Sequence, residues 1–385
     1  MRMDSSPVSD ISPMPVSGKA ETVKVIIAGG GTGGHIFPAL AIANAIKKLN
    51  PGAEILFVGA KGKMEMEKIP EAGYKIIGID IAGYNRSSLI KNIALPYKLL
   101  QSYFQVRKIV KSFNPDAVVG VGGYSSFPVL KLAQARNIPT FIHEANSLAG
   151  KSNMMLGKNA TKIFVAGGGM EKYFPAKKIM ITGNPVRKVF LNPVPKDQAL
   201  KFFGLQPGKK TVFVMGGSLG ARSINETIES NAEIFAKNNL QLIWQTGKDF
   251  APRAAKIEEE WSNMWSNAFI SKMENAYAAA DVVIARAGAM TIAELCVVKK
   301  AAIFVPFPFA AEDHQTVNAR ALSGIDAARL IPDAEVKSKL IPALLNLIND
   351  EKEIEAMEIN IASLGNTSAD DVIAQEILNI IKTKN

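Results

Sequence analysis

Two glycine-rich turns and three histidines carry most of the chemistry this sequence can offer. Gly29, Gly31 and Gly34 fit a G-x-G-x-x-G spacing between a strand-like run and a helical one. Without side chains there, backbone N–H groups and the positive end of the helix can approach a phosphate. A dinucleotide-binding loop of this kind needs an acidic residue at the end of the next strand to hold a ribose. Here Ile55 to Val58 is followed by Gly59, Ala60 and Lys61, which disfavours a nicotinamide dinucleotide. A second turn, Gly216-Gly217-Ser218-Leu219-Gly220, formally matches the G-x-S-x-G nucleophile elbow, with Asp281 and His314 downstream as acid and histidine. The plainer reading is a turn whose Ser218 hydroxyl and amides hold a phosphate. It suits the echo between KVIIAGGGTGGH from Lys24 and KTVFVMGGSLGA from Lys210.

His35, His143 and His314 all lie at or near the ends of strand-like runs. A lone histidine is more often structural than catalytic, but three in strand-end loops point to a site. Arg286-Ala287-Gly288-Ala289 opens a helix that carries Thr291 and Glu294. Its start offers N–H groups to a diphosphate, and a carboxylate one to two turns along can accept ribose hydroxyls. On an isolated helix Glu294 would be an ordinary surface acid. There is no Asp-x-Asp pair and no His/Cys cluster with ligand spacing, so neither a metal nor a cofactor is expected. Leaving-group charge then falls to helix ends and to Arg187 or a lysine.

The elements that must position these groups recur in order. Strand-like runs Val23 to Ala28, Ile55 to Gly59, Ala117 to Val121, Thr140 to His143, Lys162 to Ala166 and Ile179 to Thr182 alternate with helical patterns. The rhythm restarts with Thr211 to Met215, Gln241 to Gln245, Ala268 to Ser271, Asp281 to Ala285 and Ala301 to Val305. The pattern predicts an α/β fold of two Rossmann-like, doubly wound parallel-sheet domains facing across a cleft. Residues 1–22 read as a flexible tail, 23–186 as the first domain, 187–365 as the second, and 366–385 as a helix able to pack back on the first.

The chain has 385 residues, 48% of them hydrophobic and 21% charged, enough for two ordinary cores. A net charge of +10 favours an anionic partner, but the basic residues lack the interleaved aromatics of an RNA-binding face, so no nucleic acid is expected. Cys296 has no partner, which suits a reducing compartment. No apolar run is long enough to span a bilayer. Leu89 to Lys111 is a basic amphipathic pattern that fits either a core-facing helix with a solvated basic side or a segment lying on an anionic membrane.

Together these motifs resemble one family, the undecaprenyldiphospho-muramoylpentapeptide N-acetylglucosaminyltransferases of bacterial cell-wall synthesis, in glycosyltransferase family 28. The resemblance runs from Lys24 to the C-terminus through GGGTGGHIFPALAIA, GVGGYSSFP, HEANSLAG, GNPVR, GGSLGAR, ARAGAMTIAE and VPFPFAAEDHQTVNA, in that order. It implies a GT-B fold at the cytoplasmic face of the inner membrane, held peripherally. It also implies inverting transfer of GlcNAc from UDP-GlcNAc to the C4 hydroxyl of lipid I, without an essential metal. Thr32, Gly33, Gly34, Asn146, Arg187, Ser218, Ile270, Ala289, Met290, Thr291, Ile292, Ala293, Glu294 and Gln315 would contact the donor. The acceptor diphosphate would meet Gly30, Gly31, Gly122, Gly123 and Tyr124, and His35, His143 or Glu144 would act as general base. Ala145 stands where the family usually shows glutamine, so one side-chain contact is lost or replaced beside Asn146. Other cell-wall synthesis proteins are further expected partners. The alternatives are a GT-B transferase or UDP-sugar epimerase with another substrate, or a non-catalytic UDP-sugar or lipid-binding protein.

Overall fold

The computed structural model describes residues 22–81, 95–217, 219–310 and 313–384. The expected tail lies outside them but for its last residue, as do Ser218 and the start of the Leu89–Lys111 segment. The first sheet contains β1 (Lys24–Ala28), β2 (Glu54–Ala60), β3 (Lys75–Ile79), β4 (Ala117–Gly120), β5 (Thr140–Glu144), β6 (Lys162–Val165) and β7 (Ile179–Ile181). The second contains β8 (Lys210–Met215), β9 (Leu240–Gln245), β10 (Met264–Asn267), β11 (Val282–Ala285), β12 (Ala301–Phe304) and β13 (Arg329–Leu330). Their orders are β3-β2-β1-β4-β5-β6-β7 and β10-β9-β8-β11-β12-β13. All neighbouring strands are parallel.

Parallel strands covered on both faces read as continuous apolar runs, and β1 shows why. Val25 and Ile27 enter one core while Ile26 and Ala28 enter the other. In β8, Phe213 and Met215 face one layer and Val212 and Val214 the opposite one. Both sheets reverse their winding direction once, between β1 and β4 and between β8 and β11. Loops leaving such a pair of strands diverge to opposite faces and open a crevice at the carboxyl ends. The turns after β1 and β4 flank the first crevice, and those after β8 and β11 flank the second.

One strand differs from expectation. β10 spans Met264–Asn267 and pairs with β9 from Leu242↔Met264 to Gln245↔Asn267, in place of a strand at Ala268–Ser271. The buried Met264 anchors that register, and the chain then turns so that Ile270 N–H donates to the Gln245 side chain at 2.9 Å. β3 and β13, which sequence patterning does not predict, are edge strands.

The C-terminal helix, Ala369–Lys384, packs against the Gly33–Leu49 helix of the first lobe. Ile373, Ala374, Ile377, Leu378 and Ile381 form its apolar stripe and share a core with Ile36, Leu40 and Ile42. Lys188 pairs with both Asp370 (3.1 Å) and Asp371 (2.8 Å) at its start. The lobes also touch beside the cleft. Lys68 lies over the Phe269 ring at 5.8 Å, and Arg187 over the Phe37 ring at 4.7 Å.

Candidate active site

His35 lies in the first turn of the Gly33–Leu49 helix, directly after the β1 turn. Its Nδ1 is 2.9 Å from the carbonyl oxygen of Gly30. A carbonyl can only accept, so Nδ1 carries the proton and Nε2 keeps its lone pair. The ring rests against the glycine turn after β4. A Cβ on Gly122, whose φ is +95°, would stand 2.8 Å from His35 Cδ2 and Nε2. Burial holds the imidazole below the usual histidine range; the Gly30 hydrogen bond, Glu144 and Glu65 oppose this, and His314 across the cleft adds to it.

The amides around His35 divide into two sets. Gly29 N–H donates to Val58 O (3.2 Å), Gly30 N–H to Gly122 O (3.3 Å) and Gly31 N–H to Glu65 Oε2 (2.7 Å). Gly30 and Gly31 were expected to meet an acceptor diphosphate; their N–H groups are already committed, and the Glu65 carboxylate would repel an anion at Gly31. The Gly33 and Gly34 amides have no partner among the described residues, and neither do those of Gly122, Gly123 and Tyr124. Thr32 caps the helix start with no side-chain hydrogen bond, and the first turn holds no acid. These are the donors free to meet a phosphate.

His143 and Glu144 end β5 and are both buried. Glu144 is saturated: its oxygens accept from Asn146 N (3.1 Å), Asn146 Nδ2 (3.2 Å), Gly150 N (3.0 Å) and Asn153 Nδ2 (2.8 Å). This carboxylate shapes the loop after β5 and aims Asn146, leaving no oxygen placed to take a substrate proton. Ala145 is buried, and its carbonyl accepts from Asn184 Nδ2 at 3.0 Å. Neither ring nitrogen of His143 has a hydrogen-bond partner among the described residues. Burial pushes its pKa down to about 4, with His35 lowering it further and Asn184 opposing.

A neutral buried imidazole has a consequence for stability. As pH falls from 6.5 toward about 4, an unfolded His143 binds a proton that the folded one refuses. The unfolded chain then holds more protons, so stability drops over that window, by roughly 3 kcal/mol from this group. Urea titrations should show a shallower acid loss in His143→Gln than in the parent chain. Equal slopes would contradict the burial argument.

The second lobe supplies the facing wall. The Ala289–Val298 helix begins after Gly288 with no side-chain cap and no acid in its first turn. The Ala289, Met290 and Thr291 amides therefore lack partners among the described residues and form an anion-ready end. Ile292 and Ala293 pack against the core beneath. Ile270 is buried at the end of the loop after β10. Glu294 is buried too, and Tyr277 OH donates to its Oε2 at 2.9 Å while Arg187 Nη2 lies 3.4 Å from its Oε1. Burial pushes the Glu294 carboxyl up, opposed by Arg187 and Tyr277. Arg187 is itself sandwiched between the Phe37 and Phe190 rings, at 4.7 and 4.5 Å. One guanidinium thus joins the His35-bearing helix to the Glu294-bearing helix.

Gln315 accepts the Phe307 N–H at 2.9 Å, which ties the loop after β12 to the His314–Ser323 helix. Arg286 is structural: it donates to Val305 O (3.1 Å), Pro306 O (3.0 Å), Asp333 (2.5 Å) and Ser223 (3.1 Å). Glu65, Tyr277 and Gln245 bear on the site, and none stands out in the sequence. Glu65 sits among other charged residues, and the absence of side chains at Gly30 and Gly59 leaves the space its side chain fills.

The two lobes match two halves of one family. Residues 25–165 match the glycosyltransferase family 28 N-terminal domain, and residues 211–376 its C-terminal domain. The chain belongs to glycosyltransferase family 28. A family 28 relative from Bacteroides fragilis is 48% identical over 368 residues, covering 94% of this chain and 97% of its own. It is named UDP-N-acetylglucosamine--N-acetylmuramyl-(pentapeptide) pyrophosphoryl-undecaprenol N-acetylglucosamine transferase. The crystal structure of Acinetobacter baumannii MurG superposes with a TM-score of 0.70 at 27% identity, covering 94% of this chain and 99% of that one. With both lobes so matched, the family 28 architecture here is GT-B. A UDP-GlcNAc 2-epimerase from Neisseria meningitidis bound to UDP-GlcNAc, at TM-score 0.67 and 14% identity over 93% of this chain and 100% of that one, shares the fold alone.

Proposed function

We propose that this chain transfers GlcNAc from UDP-GlcNAc to the C4 hydroxyl of MurNAc in lipid I, with inversion, giving lipid II. The observation that carries this reading is the seat of His35. Its ring lies between the turn after β1 and the turn after β4, with Nδ1 bound to Gly30 O and Nε2 left with its lone pair; the second lobe supplies the uncapped start of the Ala289–Val298 helix. Near-complete coverage of relatives named for this transfer supports the same substrates.

In this mechanism UDP lies against the second lobe. The Ala289–Thr291 amides meet its diphosphate, Ile270 frames the base, and Glu294, held by Tyr277 and Arg187, accepts from the ribose. Asn146 and Gln315 read the sugar. The acceptor diphosphate rests on the amides of Gly122, Gly123 and Tyr124, with those of Gly33 and Gly34 beside the reacting groups. His35 Nε2 takes the C4 hydroxyl proton as that oxygen attacks the anomeric carbon, and the bond to the UDP oxygen breaks with its electrons leaving on UDP. Helix-end amides stabilise that developing charge. Incubation with UDP-GlcNAc and a short-chain lipid I analogue should give a β-linked disaccharide. Donor binding with no disaccharide across a panel of detergents would overturn the reading.

The acceptor places the enzyme at a membrane. No helix among the described residues is long and apolar enough to cross one. The Leu95–Phe113 helix buries Val106, Ile109 and Val110 and exposes Leu100, Tyr103 and Phe104 on the face that continues into Arg107, Lys108 and Lys111. Apolar side chains beside cations suit the boundary of an anionic bilayer. The chain should sediment with vesicles containing anionic lipid at low salt and be partly released as salt screens the cations, and Phe104→Glu should weaken binding about tenfold or more. Equal sedimentation of Phe104→Glu and the parent chain would exclude this helix as the contact.

A further inference from the structure

Glu65 lies well away from the turns that suggested the site, yet its carboxylate is buried directly beneath them. It opens the Glu65–Glu71 helix after β2 and is 1% exposed. One oxygen accepts Ala60 N–H at 3.0 Å, at the end of β2, and the other accepts Gly31 N–H at 2.7 Å. The space it fills exists because two residues lack side chains. A Cβ on Gly30 would stand 2.3 Å from the Glu65 carboxyl carbon, and one on Gly59 would stand 2.5 Å from its Cγ.

The peptide group between Gly30 and Gly31 is therefore held at both ends. Its N–H donates to Glu65, and its carbonyl accepts from His35 Nδ1 at 2.9 Å. We propose that Glu65 is a positioning residue for the general base, acting on His35 through the Gly30–Gly31 peptide. The inference rests on the transferase reading above and deepens it. Hydrogen bonds in series polarise one another, so an anion on the amide side makes the carbonyl a stronger acceptor on the histidine side. A stronger acceptor fixes the Nδ1–H tautomer, aims Nε2 and steadies the imidazolium that forms when Nε2 takes the hydroxyl proton. A carboxylate bonded directly to a catalytic histidine does the same work in hydrolytic triads. Here one peptide stands between them, and no proton passes to Glu65.

Three groups besides Glu65 bear on the protonation of His35. Glu144 and Glu65 favour its charged form, His314 from the second lobe opposes it, and His143 is coupled to it from β5. Glu144 is held by its own four donors, so a change at Glu65 leaves that contribution in place. Glu65→Gln keeps the shape, removes the charge and offers one acceptor oxygen to two N–H donors.

The test uses the full-length chain and two readouts. With only three histidines, the His35 Cε1–H resonance is assignable by comparison with His35→Ala. Glu65→Gln should move its titration midpoint down, and Glu65→Asp, which keeps the charge, should restore part of that shift. In the transfer assay Glu65→Gln should lower kcat by about tenfold or more with KM for UDP-GlcNAc little changed, and should cost almost nothing further in a His35→Ala background. A His35 midpoint that is the same in the parent chain, Glu65→Gln and Glu65→Asp would overturn the proposal. So would losses that simply multiply in the double variant. The titration reads the relay even if the chain makes no disaccharide, so failure of the transferase reading and failure of this one are distinguishable.

Discussion

Replacing His35 with alanine should lower turnover by about 100-fold to 10,000-fold, the usual contribution of a positioned general base. UDP-GlcNAc affinity should hardly change, because the donor contacts proposed here lie mainly on the second lobe. Three features give the expectation its size. Nδ1 is tied to Gly30 O at 2.9 Å, so the ring has one orientation and one free lone pair. Gly122 leaves room for the ring where any Cβ would strike it. Burial holds the imidazole below its ordinary 6.5, so it is unprotonated and ready at neutral pH. The acid limb of kcat/KM should accordingly fall below the ordinary histidine range, with activity lost as pH drops through it. A loss smaller than tenfold would reduce His35 to a support for the loop. His143 is buried and both Glu144 oxygens are already bonded, so neither could then take its place without rearrangement.

Deleting the C-terminal helix from Asn366 onward should destroy the first lobe as a cooperative unit. Ile373, Ile377, Leu378 and Ile381 are nearly or fully buried against the Gly33–Leu49 helix. At about 1.5–3 kcal/mol for each side chain buried, the four contribute roughly 6–12 kcal/mol. That is comparable to the whole stability of an ordinary domain, about 5–15 kcal/mol. The deletion also strips cover from the helix that carries His35. Calorimetry should show loss of the first-lobe transition, and limited proteolysis should cut within the Gly33–Leu49 helix. The single change Ile377→Ala should cost about 2–5 kcal/mol in urea unfolding, a milder form of the same test. An unaltered Tm in the truncated chain would contradict this role.

The parts of the fold written in local pattern were legible. Central strands such as β1 and β8 are buried on both faces, and continuous apolar runs of that kind declare themselves in the sequence. The glycine turns follow them directly, and the GT-B arrangement implied by the ordered motifs is the one found. Two of the edge strands, β3 and β13, were not legible. β3 carries Lys75 and Gly78 and is only partly buried, and β13 is two residues long, so neither has a full apolar signature. β10 was displaced by four residues because Ala268 to Ile270 looks more strand-like than Met264 to Asn267, while pairing with β9 decides the register.

Within the site, turns and histidines could be read from spacing, but hydrogen-bond allotment could not. Nothing in the order of residues says that Gly31 N–H is taken by a carboxylate 34 positions away, or that four donors converge on Glu144. These assignments are the ground on which we propose His35 over Glu144 as the base, and Gly33, Gly34 and the turn after β4 over Gly30 and Gly31 as phosphate donors. Long-range partners such as Tyr277 and Arg187 at Glu294 are likewise products of tertiary packing.

The most direct test is UDP release measured with a lipid I analogue and with the same analogue lacking its MurNAc 4-hydroxyl. The intact acceptor should drive stoichiometric release of UDP and formation of disaccharide, and the 4-deoxy acceptor should give neither. Equal UDP release with both acceptors, or with none, would show that the bond is broken without the acceptor hydroxyl and would contradict the transfer.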